Sequence, residues 1–392
     1  MSAATDGAAL RAWAYLSRVA EPPCAGLAAL VQRAGPVEAA ERVRRGSVDE
    51  DLARHTEARR DIDTSAADLE TIARRGGRLI TPDDDEWPLL AFAAFRGAEP
   101  RRRGGPPMVV PMVLWAQGPA RLDEVAQRAA AVVGTRASTP YGEQVARELA
   151  ADLAQRDVAV VSGGAYGIDG AAHRAVLDCD GVTVAVLAGG LDVPYPSGHT
   201  ALLHRIGQHG LLFTEYAPGV RPARHRFLTR NRLVAAVAGA AVVVEAGLRS
   251  GAGNTAAWAR ALGRVVAAVP GPVTSSASAG CHALLRDGAE LVTRADHIVE
   301  LIGHIGELAP DEPRPVTPLD GLSDAERRVY EALPGRGAAT VDETAVASGL
   351  IPEQVLGPLA MLELAGLVQR QDGRWRIVRA AAARAAPTRR LV

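Results

Sequence analysis

The chain has 392 residues, with 44 Lys plus Arg, 45 Asp plus Glu, and a formal net charge of −1. That length suggests two or three domains, and 48% hydrophobic residues can bury a large core. The near-neutral balance excludes a protein that coats nucleic acid with its whole surface, so any nucleic-acid site must be a local patch.

Residues 1–75 are expected to form a small helical domain. Leu10, Trp13, Ala14 and Leu16, then Leu27, Leu30 and Val31, recur at helical spacing. Pro22-Pro23 and Gly35-Pro36 punctuate the pieces. Arg78-Leu79-Ile80 and the stretch 107–115 read as extended, and 101–107 as an exposed arginine-bearing loop.

From Ala129 onward, short Val/Ala-rich runs alternate with helical segments. The runs are 130–133, 158–161, 182–187, 211–213, 241–244, 265–269 and 290–292. Most are apolar throughout, as parallel strands covered on both faces must be. The alternation predicts an α/β fold, a Rossmann-like doubly wound, mostly parallel sheet over residues 76–305.

Residues 306–317 read as a Pro-rich linker. Residues 318–380 read as three helices followed by a hairpin, a winged-helix pattern. Ser323 and Glu326 supply a capping box, and Asp372-Gly373 supplies the hairpin turn. The Ala/Arg-rich stretch 381–392 is expected to be disordered.

Ligands of doubly wound sheets bind at the carboxyl ends of the strands. Here those ends read Gly134-Thr135-Arg136, Ser162-Gly163-Gly164-Ala165, Ala188-Gly189-Gly190 and Ser250-Gly251-Ala252-Gly253-Asn254-Thr255. Glycines admit a ligand close to the backbone, and bare N–H groups at helix starts attract anions. The four ends together point to a phosphate-bearing ligand. Neither the GxGxxG fingerprint with its ribose-binding acid nor a GxxxxGK[ST] loop is present, and the chain has no lysine at all. NAD and ATP are therefore disfavoured, and no cofactor is expected.

The sharpest feature is the stretch 221–232. It carries Arg221, Arg224, Arg226, Arg230 and Arg232 around His225 and Phe227, and no acid lies between Glu215 and Glu245. Charge alone leaves two readings open, an Arg-rich loop in an Arg-rich chain or a nucleic-acid site. The neighbouring glycine loops favour the second. So does Asn231, which with Asn254 makes the only two asparagines in the chain. Arginine forks match phosphates, and an aromatic such as Phe227 can stack on an unpaired base.

Other residues take structural readings. Asp169 is expected to cap its helix and His173 to bond to it or to a neighbouring loop. Tyr195, between Pro194 and Pro196, is expected to fix a loop, while His282 could face the site. Cys24, Cys179 and Cys281 are too widely spaced for a metal knuckle and fit a reducing cytosol. The N-terminus reads as lacking a signal peptide, and the apolar run 233–244 is too short to span a bilayer, so a cytoplasmic protein is expected.

Read together, these motifs resemble the bacterial DNA-processing protein A family (DprA, also called Smf). The resemblance spans residues 134–303. It rests on Gly134-Thr135-Arg136 with Tyr141-Gly142, on Ser162-Gly163-Gly164-Ala165-Tyr166-Gly167-Ile168-Asp169, and on Gly190-Leu191-Asp192 with Tyr195-Pro196. Phe227 with Arg230-Asn231-Arg232, Ser250-Gly251 with Thr255-Ala256, and Val269-Pro270-Gly271 complete it. Leu228, Gly164 and His282 depart from the family's common proline, leucine and asparagine.

The resemblance implies a non-catalytic protein that binds single-stranded DNA and forms a homodimer. It also implies loading of the RecA recombinase during natural transformation. Carried over residue by residue, the strand would meet Gly134, Thr135, Arg136, Ser162, Gly163, Gly164, Phe227, Arg230, Asn231, Arg232, Ser250, Gly251 and Asn254. Two alternatives stand beside it. One is a nucleotide phosphoribohydrolase of the LOG type, but Trp258 stands where that chemistry needs a glutamate. The other is a duplex-DNA regulator working through the winged helix. The third helix of that module, 352–364, carries Glu353 and Glu363 and no arginine, which predicts a protein-contact or regulatory role instead.

Overall fold

The fold is described from a computed structural model covering residues 3–97, 108–303, 307–309 and 319–378, with backbone alone for 3–6 and 97. The expected loop 101–107, most of the linker and the tail 381–392 lie outside the described residues. By internal contacts the chain divides into two units, Met1–Pro310 and Asp311–Val392.

The first unit begins with helices α1 (Ala3–Val19), α2 (Ala25–Arg44), α3 (Glu50–Thr56) and α4 (Ser65–Arg74). Gly35, at φ 76°, kinks α2 just before Pro36. Strand β1 (Gly77–Ile80), helix α5 (Leu89–Gly97) and strand β2 (Leu114–Gln117) follow. The alternating region then runs α6 (Leu122–Val125), β3 (Ala129–Val133), α7 (Pro140–Ala154), β4 (Ala159–Ser162), α8 (Ile168–Asp178), β5 (Thr183–Val186), α9 (Thr200–His209), β6 (Leu211–Thr214), α10 (Arg224–Ala236), β7 (Ala240–Val243), α11 (Gly251–Ala261), β8 (Val265–Ala268), α12 (Ala279–Arg286), β9 (Glu290–Leu291) and α13 (Ala295–Ile302).

The nine strands form one sheet in the order β1-β2-β6-β5-β4-β3-β7-β8-β9. β3 to β9 run parallel, and β1 and β2 add an antiparallel edge beside β6. The Val/Ala runs suit this placement because both faces are covered. Ala129, Ala131 and Val133 of β3 face a core with α5, α10 and α11, while Ala130 and Val132 face one with α7, α8 and α13. The first four helices share a third apolar cluster with Trp115 of β2, Leu187 and α9. Trp115 is fully buried, and its indole N–H donates to Ser17 Oγ at 3.2 Å.

The order reverses at β3, whose neighbours are β4 on one side and β7 on the other. Helix N-termini diverge there, which opens a crevice at the carboxyl ends of the strands. This is where the glycine-ended strands converge.

The second unit is small. It packs α14 (Asp324–Ala332), α15 (Val341–Ser348) and α16 (Pro352–Leu364) against a hairpin of β10 (Val368–Gln371) and β11 (Arg374–Ile377). The Ser323/Glu326 capping box forms, and Asp372 (φ 52°) with Gly373 (φ 76°) makes the turn. Among the described residues no single helix is long and apolar enough to cross a membrane.

Candidate nucleic-acid interface

A cleft of about 360 Å³ opens at the reversal point. Its walls come from the ends of β3 and β4, from α10, and from the loop leading into α11. Gly134, Thr135, Arg136, Gly163, Phe227, Arg230, Asn231, Ser250 and Gly251 all line it. Backbone fit explains the glycines. A Cβ on Gly134 would sit 2.4 Å from Ile168 Cγ1, and one on Gly163 would sit 2.3 Å from Arg230 Nη2.

The floor is electrostatically closed by the protein itself. Asp169 is buried, and its Oδ2 accepts the backbone N–H groups of Gly163 (3.1 Å) and Ala165 (3.3 Å). The amides expected to receive a phosphate thus already hold a carboxylate. Asp169 is not a cap on its own helix, because the loop before it takes the carboxylate. Burial raises its pKa, against the opposing pull of Arg230 and the two amides.

Arg230 lies beneath the same loop, 6% exposed. It donates to the carbonyls of Gly163 (2.8 Å) and Val186 and to Asn231 Oδ1 (3.2 Å). Burial lowers its pKa to about 10, so it stays charged at neutral pH. Asn231 in turn donates to Gly251 O (3.3 Å) and Asn254 Oδ1 (3.2 Å), which fixes α10 to the start of α11. The two asparagines are therefore partners, and Asn254 serves the cleft through Asn231 without lining it. Ser250 caps α11, its Oγ accepting Gly253 N–H at 3.3 Å.

Besides Asn254, three residues of the expected set lie outside the cleft lining. Arg232 is fully buried in the core, with Nη2 at 2.5 Å from both Glu215 oxygens and Nη1 at 3.0 Å from Val109 O. Ser162 is fully buried, its hydroxyl donating to Val132 O at 2.7 Å. Gly164, at φ 70°, faces Leu203, and its carbonyl meets His199 Nδ1 at 3.0 Å. His173 bonds to Thr183 Oγ1 at 2.7 Å and not to Asp169. His282 holds the Gly271 carbonyl at 3.0 Å, outside the cleft lining.

The cleft mouth is where charge and aromatic surface remain available. Arg136 is exposed, with its guanidinium 5.2 Å over the Phe227 ring. Phe227 also meets Tyr195 at 5.3 Å between centroids, and Tyr195 is 47% exposed. Arg249, in the loop leading into α11, is exposed, lines the same cleft and makes no ion pair among the described residues. Sequence reasoning missed Arg249, although an arginine immediately ahead of an N-capping serine was visible. Tyr195, expected to fix its loop, also packs on Phe227 at the cleft mouth. Among the described residues no group of three or more His, Cys, Asp or Glu is placed to hold a metal.

A family model for DNA recombination-mediator protein A matches residues 78–303, and one for the DprA winged helix domain matches residues 312–374. The chain is 79% identical over 376 residues to the putative DNA processing protein DprA of Mycobacterium tuberculosis strain H37Rv, covering 96% of each. It is 38% identical over 246 residues to protein Smf of Escherichia coli K12, covering 62% of this chain and 66% of that one. Among solved structures, DNA processing protein A from Streptococcus pneumoniae superimposes with a TM-score of 0.58 at 28% identity. That match covers 70% of this chain and 90% of the other.

Proposed function

Since the chain belongs to the DNA recombination-mediator protein A family, we propose that it holds single-stranded DNA in the cleft between β3 and β7 without cutting it. The carrying observation is the division of charge at that cleft. Asp169 occupies the floor amides, while Arg136 stays exposed beside the aromatic pair Phe227 and Tyr195 and Arg249 stays exposed in the loop into α11. A site with cationic rims and an internally satisfied floor grips a backbone that passes across it and offers unstacked bases a flat neighbour. The arginine clamp of this reading is Arg136 and Arg249, with Arg230 and Asn231 shaping the wall behind them.

A non-catalytic role is supported at α11. Trp258 is fully buried there, so the helix brings no carboxylate to the position a phosphoribohydrolase uses. Release of free base from a nucleoside monophosphate would refute this part.

The same reading includes handing the strand to the RecA recombinase, in the cytoplasm, as a homodimer. For the dimer we favour the segment 284–298. Its strand β9 is a two-residue edge, and Leu291 on it is 54% exposed. Exposed edges with apolar side chains invite pairing with another chain.

A salt series of binding to single-stranded and duplex oligonucleotides tests the central claim. Arg136→Ala and Arg249→Ala should each weaken single-strand binding whatever its sequence and lower the salt slope by about 0.7. Unchanged affinity in both variants would refute the site.

A further inference from the structure

The second unit carries its basic charge away from the helix that usually reads DNA. In helix-turn-helix modules the second helix of the turn enters the major groove. Here that helix is α16, and it has Glu353 and Glu363 but no basic residue. Its exposed side chains include Leu356, Met361 and Leu364. The arginines lie instead on α14 (Arg327 and Arg328), on the hairpin (Arg370, Arg374 and Arg376) and on the loop between α14 and α15 (Arg336).

The hairpin explains how they are presented. Trp375 of β11 points inward and is 5% exposed, so its neighbours Arg374 and Arg376 face outward. Across the ladder they pair with Gln371 and Gln369. The outer face is thus a ladder of two guanidiniums and two amides. Ala339 pairs with Trp375 through two backbone hydrogen bonds of 2.7 and 2.9 Å, and Arg374 Nη1 donates to Ala338 O at 3.1 Å. These bonds fix the α14–α15 loop beside β11 and bring the exposed Arg336 to the same open cleft as Arg374 and Arg376. Two acids stand nearby. Asp372 is at the turn, and Glu343 pairs with Arg374 at 3.1 Å.

We propose that this unit binds the phosphate backbone of duplex DNA through Arg336, Arg374 and Arg376, with Gln369 and Gln371 as further donors, and that α16 stays out of the groove. The choice of duplex follows from what the face lacks. Single-strand sites offer aromatic rings to unstacked bases. The hairpin's one aromatic, Trp375, is buried, so the outer face offers donors and nothing flat. The contact would be independent of base sequence, since phosphates alone are addressed.

The test uses the full chain in an Arg136→Ala/Arg249→Ala background, which silences the cleft at the sheet. Binding to a 20-base-pair DNA duplex is measured against salt, with a single strand of equal length and an RNA duplex as the other arms. Replacing Arg336, Arg374 and Arg376 together by alanine should lower the duplex salt slope by about 2.7, roughly 0.9 per lost phosphate contact. Arg336→Gln with Arg376→Gln, which keeps hydrogen-bond donors and the Arg374–Glu343 pair, should lower it by about 1.8. In the otherwise unaltered protein the same changes should leave single-strand binding at its parental value. An unchanged duplex slope in both variants overturns the proposal. A larger loss from Leu356→Ser/Leu364→Ser than from the arginine changes also overturns it, by putting α16 in the groove. Stronger binding of the RNA duplex than of the DNA duplex would overturn the DNA assignment.

Discussion

Replacing Arg232 by alanine separates the two kinds of arginine in α10. Its guanidinium is fully buried and meets both oxygens of Glu215, itself 5% exposed, at 2.5 Å. Removing it strands a carboxylate in the core, which typically costs about 3–5 kcal/mol. For a domain of this size that is a fall in melting temperature on the order of 10 °C. Replacing both partners with apolar residues of similar volume, Arg232→Met with Glu215→Leu, should recover most of the loss, because the desolvation of both charges disappears together. Thermal unfolding followed by circular dichroism gives the stability, and fluorescence anisotropy on a labelled single strand gives affinity below the melting range. The expected result is a destabilised protein with near-parental affinity. A variant with parental melting temperature and lost affinity would sink the argument and return Arg232 to the binding surface.

Three further outcomes follow from the same geometry. Gly163→Ala puts a methyl into the Arg230 guanidinium, so it should cost about 1–3 kcal/mol and weaken strand binding together; a neutral result on both would mean that Arg230 is free to move. His173 is fully buried, and burial lowers its pKa to about 3, whereas the unfolded chain takes up a proton near pH 6.5. Unfolding therefore binds a proton below that value. Stability should be lost as pH falls from about 6.5 towards 3, and His173→Gln should flatten that part of the profile. Glu21 is pulled two ways. Burial raises its pKa, but hydrogen bonds from Arg226, Arg59 and His225 bring it below the usual glutamate value. Its contribution is present above the unfolded pKa and lost as pH falls through the folded one. The gap in denaturant midpoint between the parent and Glu21→Gln should therefore close in acid, and a constant gap would contradict the assignment.

The strands were legible because burial on both faces leaves an unambiguous mark, continuous Val and Ala with no alternation. The Ser323/Glu326 box and the Asp372-Gly373 turn were legible because their partners lie within a few residues. Which arginines face the ligand was not. Helix α10 buries Arg230, Asn231 and Arg232 in succession, so no amphipathic stripe separates inner from outer charge. Their partners come from distant elements. Glu215 follows β6, Glu21 follows α1, and Asp169 lies in α8. A stretch free of acids in sequence is not free of them in space. The glycine loop at 162–165 misled for the same reason, since the anion it binds is six residues further along the chain.

The position of β3 also sets when the cleft can exist. Ala130 gains its neighbour Val160 as soon as the next strand is made, but its other neighbour, Ala240, arrives much later in the chain. Pairings so distant in sequence close slowly and late. During synthesis the ribosome therefore releases the Gly163 loop with Asp169 long before Arg230 or the α11 cap. A nascent chain or a fragment ending before β7 lacks the wall that the loop into α11 supplies. Strand binding is thus a readout of a finished fold, and a fragment that stops short of β7 should not bind the strand as the whole chain does.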